Sequence, residues 1–123
     1  MIGVRKIARA SILAFAITVP SVNSAVASTA YDGRWSISVA TESGDCGATY
    51  QFEIGVIEGT VSYQGPANVS GRVSAGGDVS VSISTQTQRA SGSGKLSRTT
   101  GRGRWTGRSD TSRCSGSWTA QRQ

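Results

Sequence analysis

The chain has no histidine, one methionine, two cysteines and two prolines in 123 residues. Without histidine there can be no His-based triad, and the commonest metal ligand is missing too. The two cysteines lie far apart in sequence and lack the Cys-x-x-Cys spacing of a redox pair. Long hydrophobic runs are also missing. The longest, Ala10 to Val19, is about ten residues, against roughly 20 for a bilayer-crossing helix. Acidic residues are scarce at the C-terminal end, where Asp110 alone faces Arg89, Lys95, Arg98, Arg102, Arg104, Arg108, Arg113 and Arg122.

Residues 1–27 read as a secretory signal: Arg5, Lys6 and Arg9 first, then the apolar core, then the small residues Ala25-Val26-Ala27. Cleavage is expected after Ala27, or alternatively after Ala30, leaving a single domain over 28–123. No cysteine follows the apolar core for lipid attachment, and Arg5-Lys6 is not a twin-arginine pair. The expected destination is the periplasm or the exterior. Loss of Arg5, Lys6 and Arg9 lowers the formal charge from +6 to about +3.

In an oxidising compartment the two cysteines are expected to form one disulfide, Cys46 to Cys114. Period-two alternation places Trp35, Ile37 and Val39 on one strand face. It does the same for Ala48, Tyr50, Phe52 and Ile54, for Val61 and Tyr63, for Val69 and Val73, and for Val79, Val81 and Ile83. Less apolar strands are expected at about 88–97, 101–108 and 114–122. Glu58-Gly59, Gly65-Pro66 and Gly76-Gly77-Asp78 mark turns. The expectation is an all-β antiparallel meander of about eight strands, closed into a barrel, with a two-sheet sandwich as the alternative. In a closed barrel the first strand separates those carrying the cysteines by two strand spacings, about 9–10 Å. That is wider than a disulfide spans, so one cysteine must occupy a bend or loop.

The tryptophans share a setting: Gly33-Arg34-Trp35, Gly103-Arg104-Trp105 and Gly116-Ser117-Trp118. A glycine two residues earlier on the same face suggests space for the indole. Gly92, Gly94, Gly103, Gly107 and Gly116 are all inward by parity, so either glycine-relieved core packing or a partly hollow interior lined by Trp105 and Trp118 is open to an eight-stranded barrel.

Tyr31-Asp32-Gly33-Arg34-Trp35-Ser36, Asn68-Val69-Ser70-Gly71-Arg72-Val73, Gly92-Ser93-Gly94-Lys95-Leu96 and Cys114-Ser115-Gly116-Ser117-Trp118 together resemble a group of small exported proteins of rhizobia and related bacteria. The resemblance implies export and family membership and no site; some similar sequences carry a haem-utilisation or adhesion label. Haem iron takes His, Cys thiolate, Met or Tyr. Only Tyr31, Tyr50 and Tyr63 remain for it here, and the inward parity of Tyr50 and Tyr63 assigns them to the core.

The expected protein is non-catalytic, with no cofactor and no metal. Glu53 and Glu58 are not placed as a glycosidase pair by anything in the sequence, and Asp45 and Asp78 are isolated turn acids. A membrane barrel would need outward apolar residues and aromatic girdles. Two functions remain. Arg89, Lys95, Arg102, Arg104 and Arg108 share the outward parity of two strands, a face suited to acidic polysaccharide or lipopolysaccharide phosphates. Nucleic acid is disfavoured, because no aromatic residue shares that face. The alternative is a protein-interaction module, such as an exported hydrolase inhibitor.

Overall fold

The computed structural model describes residues 28–47 and 49–123. The signal segment 1–27 and the inward assignment of Ala48 lie outside the described residues. Eight strands follow one another: β1 (Gly33–Ser43), β2 (Thr49–Ile57), β3 (Thr60–Ser62), β4 (Asn68–Val73), β5 (Asp78–Ser84), β6 (Gln88–Leu96), β7 (Thr100–Ser109) and β8 (Arg113–Arg122). Each pairs antiparallel with its sequence neighbour, and β1 pairs with β8, so the meander closes into a barrel rather than a sandwich. Closure leaves no unpaired edge along β1 or β8.

Alternation explains why these segments are strands. In β7 exposed and half-buried residues alternate over all ten positions, with Arg102, Arg104, Thr106 and Arg108 outward and Gly103, Trp105 and Gly107 inward. A one-residue slip would place arginine inside and tryptophan outside, so register is strongly specified. The weakest link in the wall is β3, only three residues long, joined to β4 by the single pair Thr60↔Arg72. Tyr63, expected within that strand, lies just beyond it.

The β2–β3 hairpin turns on Glu58 and Gly59, both with positive φ (51° and 77°), as a two-residue turn matched to strand twist requires. The Asp32 carboxylate accepts hydrogen bonds from the Glu58 and Gly59 amides at 2.8 and 3.3 Å. It thereby ties the segment before β1 to this turn.

The cysteines solve their spacing problem through a bulge. The β1–β8 register shifts between Thr41 and Ser43, which bends the end of β1 towards the start of β8. Cys46 then sits in the β1–β2 connection rather than in a strand, and the Cα atoms of Cys46 and Cys114 are 6.1 Å apart. Gly44 permits the approach. Its φ is +92°, and a Cβ there would lie 2.2 Å from the Arg113 carbonyl oxygen.

Candidate ligand-binding cavity and its arginine rim

The two ends of the barrel differ. At one end Trp35, Val56, Val61, Val73, Leu96 and Ala120 are buried and form a floor. The Arg122 guanidinium lies over the Trp35 ring, 5.3 Å from its centroid, a cation–π contact. It also donates to the carbonyls of Arg98 and Asp32. Tyr31 packs against this core from below.

Towards the other end the interior stays apolar but is no longer filled. Val39, Phe52, Val69, Val79, Val81 and Trp105 are only partly buried, and they surround a cavity of about 400 Å³. That is within the usual range for small-molecule sites. Phe52 meets Tyr63 edge-on, with ring centroids 5.8 Å apart. All three indole N–H groups are spent on backbone carbonyls: Trp35 on Tyr31 (2.9 Å), Trp105 on Ala40 (3.0 Å) and Trp118 on Ser93 (3.2 Å). The indoles that line the cavity therefore offer it no free donor. Thr41 Oγ1 is buried without a partner, but Thr41 does not line the cavity.

Trp105 and Trp118, the expected pocket residues, both line this space. The glycine rationale needs correction. A Cβ at Gly103 or Gly94 would fall 2.6 Å from the Trp118 ring, so these glycines seat the indole across the sheet, not along the strand. Antiparallel register explains it: Gly103 pairs with Trp118, and Trp105 pairs with Gly116. Two Gly-x-Trp segments on neighbouring strands thus place a glycine opposite each tryptophan. Gly33 has no such role, since a Cβ there would meet only the Arg122 side chain.

Tyr50 also departs from expectation. It is 51 % exposed at the open end rather than buried in the core, and its hydroxyl donates to the Cys46 carbonyl. The open end is the mouth, where Thr85, Gln88, Arg89, Arg108 and Ser109 join Tyr50 along the cavity.

The five expected basic residues are all on the outer wall of β6 and β7, but they are not equivalent. Lys95 pairs with Asp78 at 3.5 Å, and Arg104 with Glu42 at 3.0 Å. The Ser117 hydroxyl and the Arg104 guanidinium hold the Glu42 carboxyl below its ordinary pKa. Arg89, Arg102 and Arg108 have no carboxylate within salt-bridge distance among the described residues. Arg89 is registered against Arg108, and Arg108 against Arg113, so three arginines stand abreast on β6, β7 and β8 at the mouth. Arg113 was not singled out in the sequence, although its position beside inward Cys114 marks it as outward. The next row is hydroxyl-bearing: Ser70, Ser82, Ser91, Thr106 and Ser115 on β4 to β8.

Fold and site define a small disulfide-bonded up-and-down β-barrel, floored at one end, with an apolar interior open at the other. No family model matches the chain, and neither does any curated protein or solved structure.

Proposed function

We propose that this protein is a non-catalytic binding module, exported by its N-terminal segment, that holds a small ligand with an apolar body inside the barrel. The observation carrying this reading is the 400 Å³ interior walled by partly exposed Val, Phe and Trp side chains. Such a wall costs stability when empty, because apolar surface facing a void or water forgoes burial and packing. Apart from Tyr63 and Ser91, its polar side chains are those of the mouth. A disulfide joining the mouth to β8 suits an oxidising location.

The test is titration of the oxidised protein with decanol, read by tryptophan fluorescence, beside a Gly92→Leu variant. Gly92 is inward, and a Cβ there meets its neighbours only at 3.5 Å and beyond. A side chain grown from Gly92 therefore begins in ordinary contact, and leucine would extend it into the cavity. Saturable binding by the parent, weakened at least tenfold in Gly92→Leu, is the expected result. No binding by the parent, or equal binding by both, would refute the reading.

A second reading is favoured by the row Arg89, Arg108 and Arg113: the outer wall binds envelope polyanions such as acidic polysaccharide or lipopolysaccharide. Retention on acidic polysaccharide should then fall steeply with salt. It should be lost in an Arg89→Ser/Arg108→Ser/Arg113→Ser variant. Retention by that variant equal to the parent's would point instead to a protein partner.

A further inference from the structure

The arginine row at the mouth is not explained by folding. Like charges directly opposite one another on paired strands are destabilising, and neighbouring strands are only roughly 4.8 Å apart. Arg89 and Arg108 form such a pair and Arg113 extends it. Of the acids at the same end, Asp45 and Asp110 lie in connections and Glu42 near the end of β1 is paired with Arg104; among the described residues none of them bridges to any of the three. Arg89 and Arg108 nevertheless border the apolar cavity itself as well as the outer wall. At that rim, guanidinium donors with no carboxylate partner among the described residues stand next to an opening lined otherwise by uncharged side chains.

We infer that the ligand is an anionic single-chain amphiphile, its acyl or alkyl chain in the barrel and its carboxylate or phosphate head held by Arg89 and Arg108, with Arg113 beside them. The inference rests on the interior being a ligand site. An anion between opposed guanidiniums relieves their repulsion and supplies the acceptor they lack, and guanidinium forks match carboxylate and phosphate oxygens. The arrangement also assigns an orientation. The chain enters tail first, because the floor is closed by Trp35 and its neighbours.

The experiment compares decanoate, decyl phosphate and decanol, each below its micelle-forming concentration, on three proteins: the parent, Arg89→Ser/Arg108→Ser, and Arg72→Ser/Arg102→Ser. The last removes the same charge from arginines away from the mouth. The parent should prefer the anions over decanol by about tenfold, the order of one charge-assisted hydrogen bond. That preference should vanish in the rim variant, with decanol binding retained as proof of an intact barrel, and should persist in the control. Equal affinity for all three ligands in the parent, or a preference that survives the rim substitutions, overturns the inference while leaving the interior site standing. Failure of all three ligands to bind overturns both. Retention on acidic polysaccharide with no preference for decanoate would give the arginines to a polymer and also overturn it. Preference for decanoate or for decyl phosphate tells a fatty acid from a phosphate-headed lipid.

Discussion

Gly103→Ala should destabilise the barrel far more than Gly92→Ala, although both place one methyl group on the same inner face. At Gly103 the new Cβ would lie 2.0 Å from the Ser93 carbonyl oxygen and 2.6 Å from two atoms of the Trp118 ring. Neither obstacle moves freely: one is backbone in a paired strand, the other a buried indole whose N–H is bonded to that same Ser93 carbonyl. Overpacking of this kind costs about 1–3 kcal/mol, partly offset by the roughly 0.4–1 kcal/mol that Gly→Ala gains through the unfolded chain. At Gly92 the nearest atoms stand at 3.5 to 3.7 Å, so only the gain remains. With about 4–8 °C per kcal/mol for a domain of this size, Gly103→Ala should melt on the order of 10 °C below the parent. Gly92→Ala should melt at or slightly above it. The assay is thermal unfolding of oxidised proteins by circular dichroism, with tryptophan fluorescence as a second probe. A Gly103→Ala protein as stable as the parent, or two variants that fall equally, would refute the account of how glycine seats the indole.

Replacing both cysteines by serine releases a closure over a sequence separation of 68 residues, which chain entropy values at about 4 kcal/mol; urea unfolding of the Cys46→Ser/Cys114→Ser protein should show a loss of that order. Asp32→Ala leaves the amides of Glu58 and Gly59 without their charged acceptor and should cost about 1–2 kcal/mol in the same assay, with Asp32→Asn closer to the parent. Across a homologous series of alkanols, affinity should rise about fourfold per methylene, equivalent to about 0.8 kcal/mol, until the chain outgrows the cavity; a flat series by fluorescence titration would speak against an interior site. Glu42 has its folded pKa below the unfolded value because of Ser117 and Arg104, so its contribution is whole above the ordinary carboxylate range and drains away as pH falls through the depressed value. Glu42→Gln should therefore lower the melting temperature slightly at neutral and alkaline pH, where the ionised carboxylate contributes, and converge on the parent at acid pH, flattening the acid-side loss.

The wall of the barrel was legible because it alternates. Val79, Val81 and Ile83 against Ser80, Ser82 and Ser84 give β5 its inner and outer faces with no tertiary information, and Arg102 to Arg108 do the same for β7. What depends on how strands meet was not legible. The disulfide route needed the register shift after Thr41, which nothing in Thr41-Glu42-Ser43-Gly44 announces as a bulge rather than a plain turn. Tyr50 has inward parity yet is half exposed, because parity says which side a residue faces and not how deep the barrel is filled at that level. The Arg89, Arg108 and Arg113 row is a product of register across three strands, invisible in a one-dimensional charge count that reports only a basic C-terminal third. The same holds for Asp32, whose acceptors' partners lie 26 and 27 residues away in sequence.

The open interior is a property of this sequence rather than of its architecture. An eight-stranded barrel has about the width that ordinary side chains can fill, and the floor shows it filled: Trp35 and Val56 are almost completely inaccessible. Towards the mouth, three of the inward positions of β6 and β7 are Ala90, Gly92 and Gly107, too small to reach the valines opposite, and the two indoles lean over Gly94, Gly103 and Gly107 instead of crossing the lumen. Gly94 and Gly103 must be glycine, since a Cβ there has nowhere to go. Gly92 need not be, for a Cβ there would meet only ordinary contacts. A chain under pressure for stability alone would place a larger residue at Gly92 and gain burial. Leaving that site empty gives up stability that the disulfide at the mouth partly restores, and the space so kept opens onto Arg89 and Arg108.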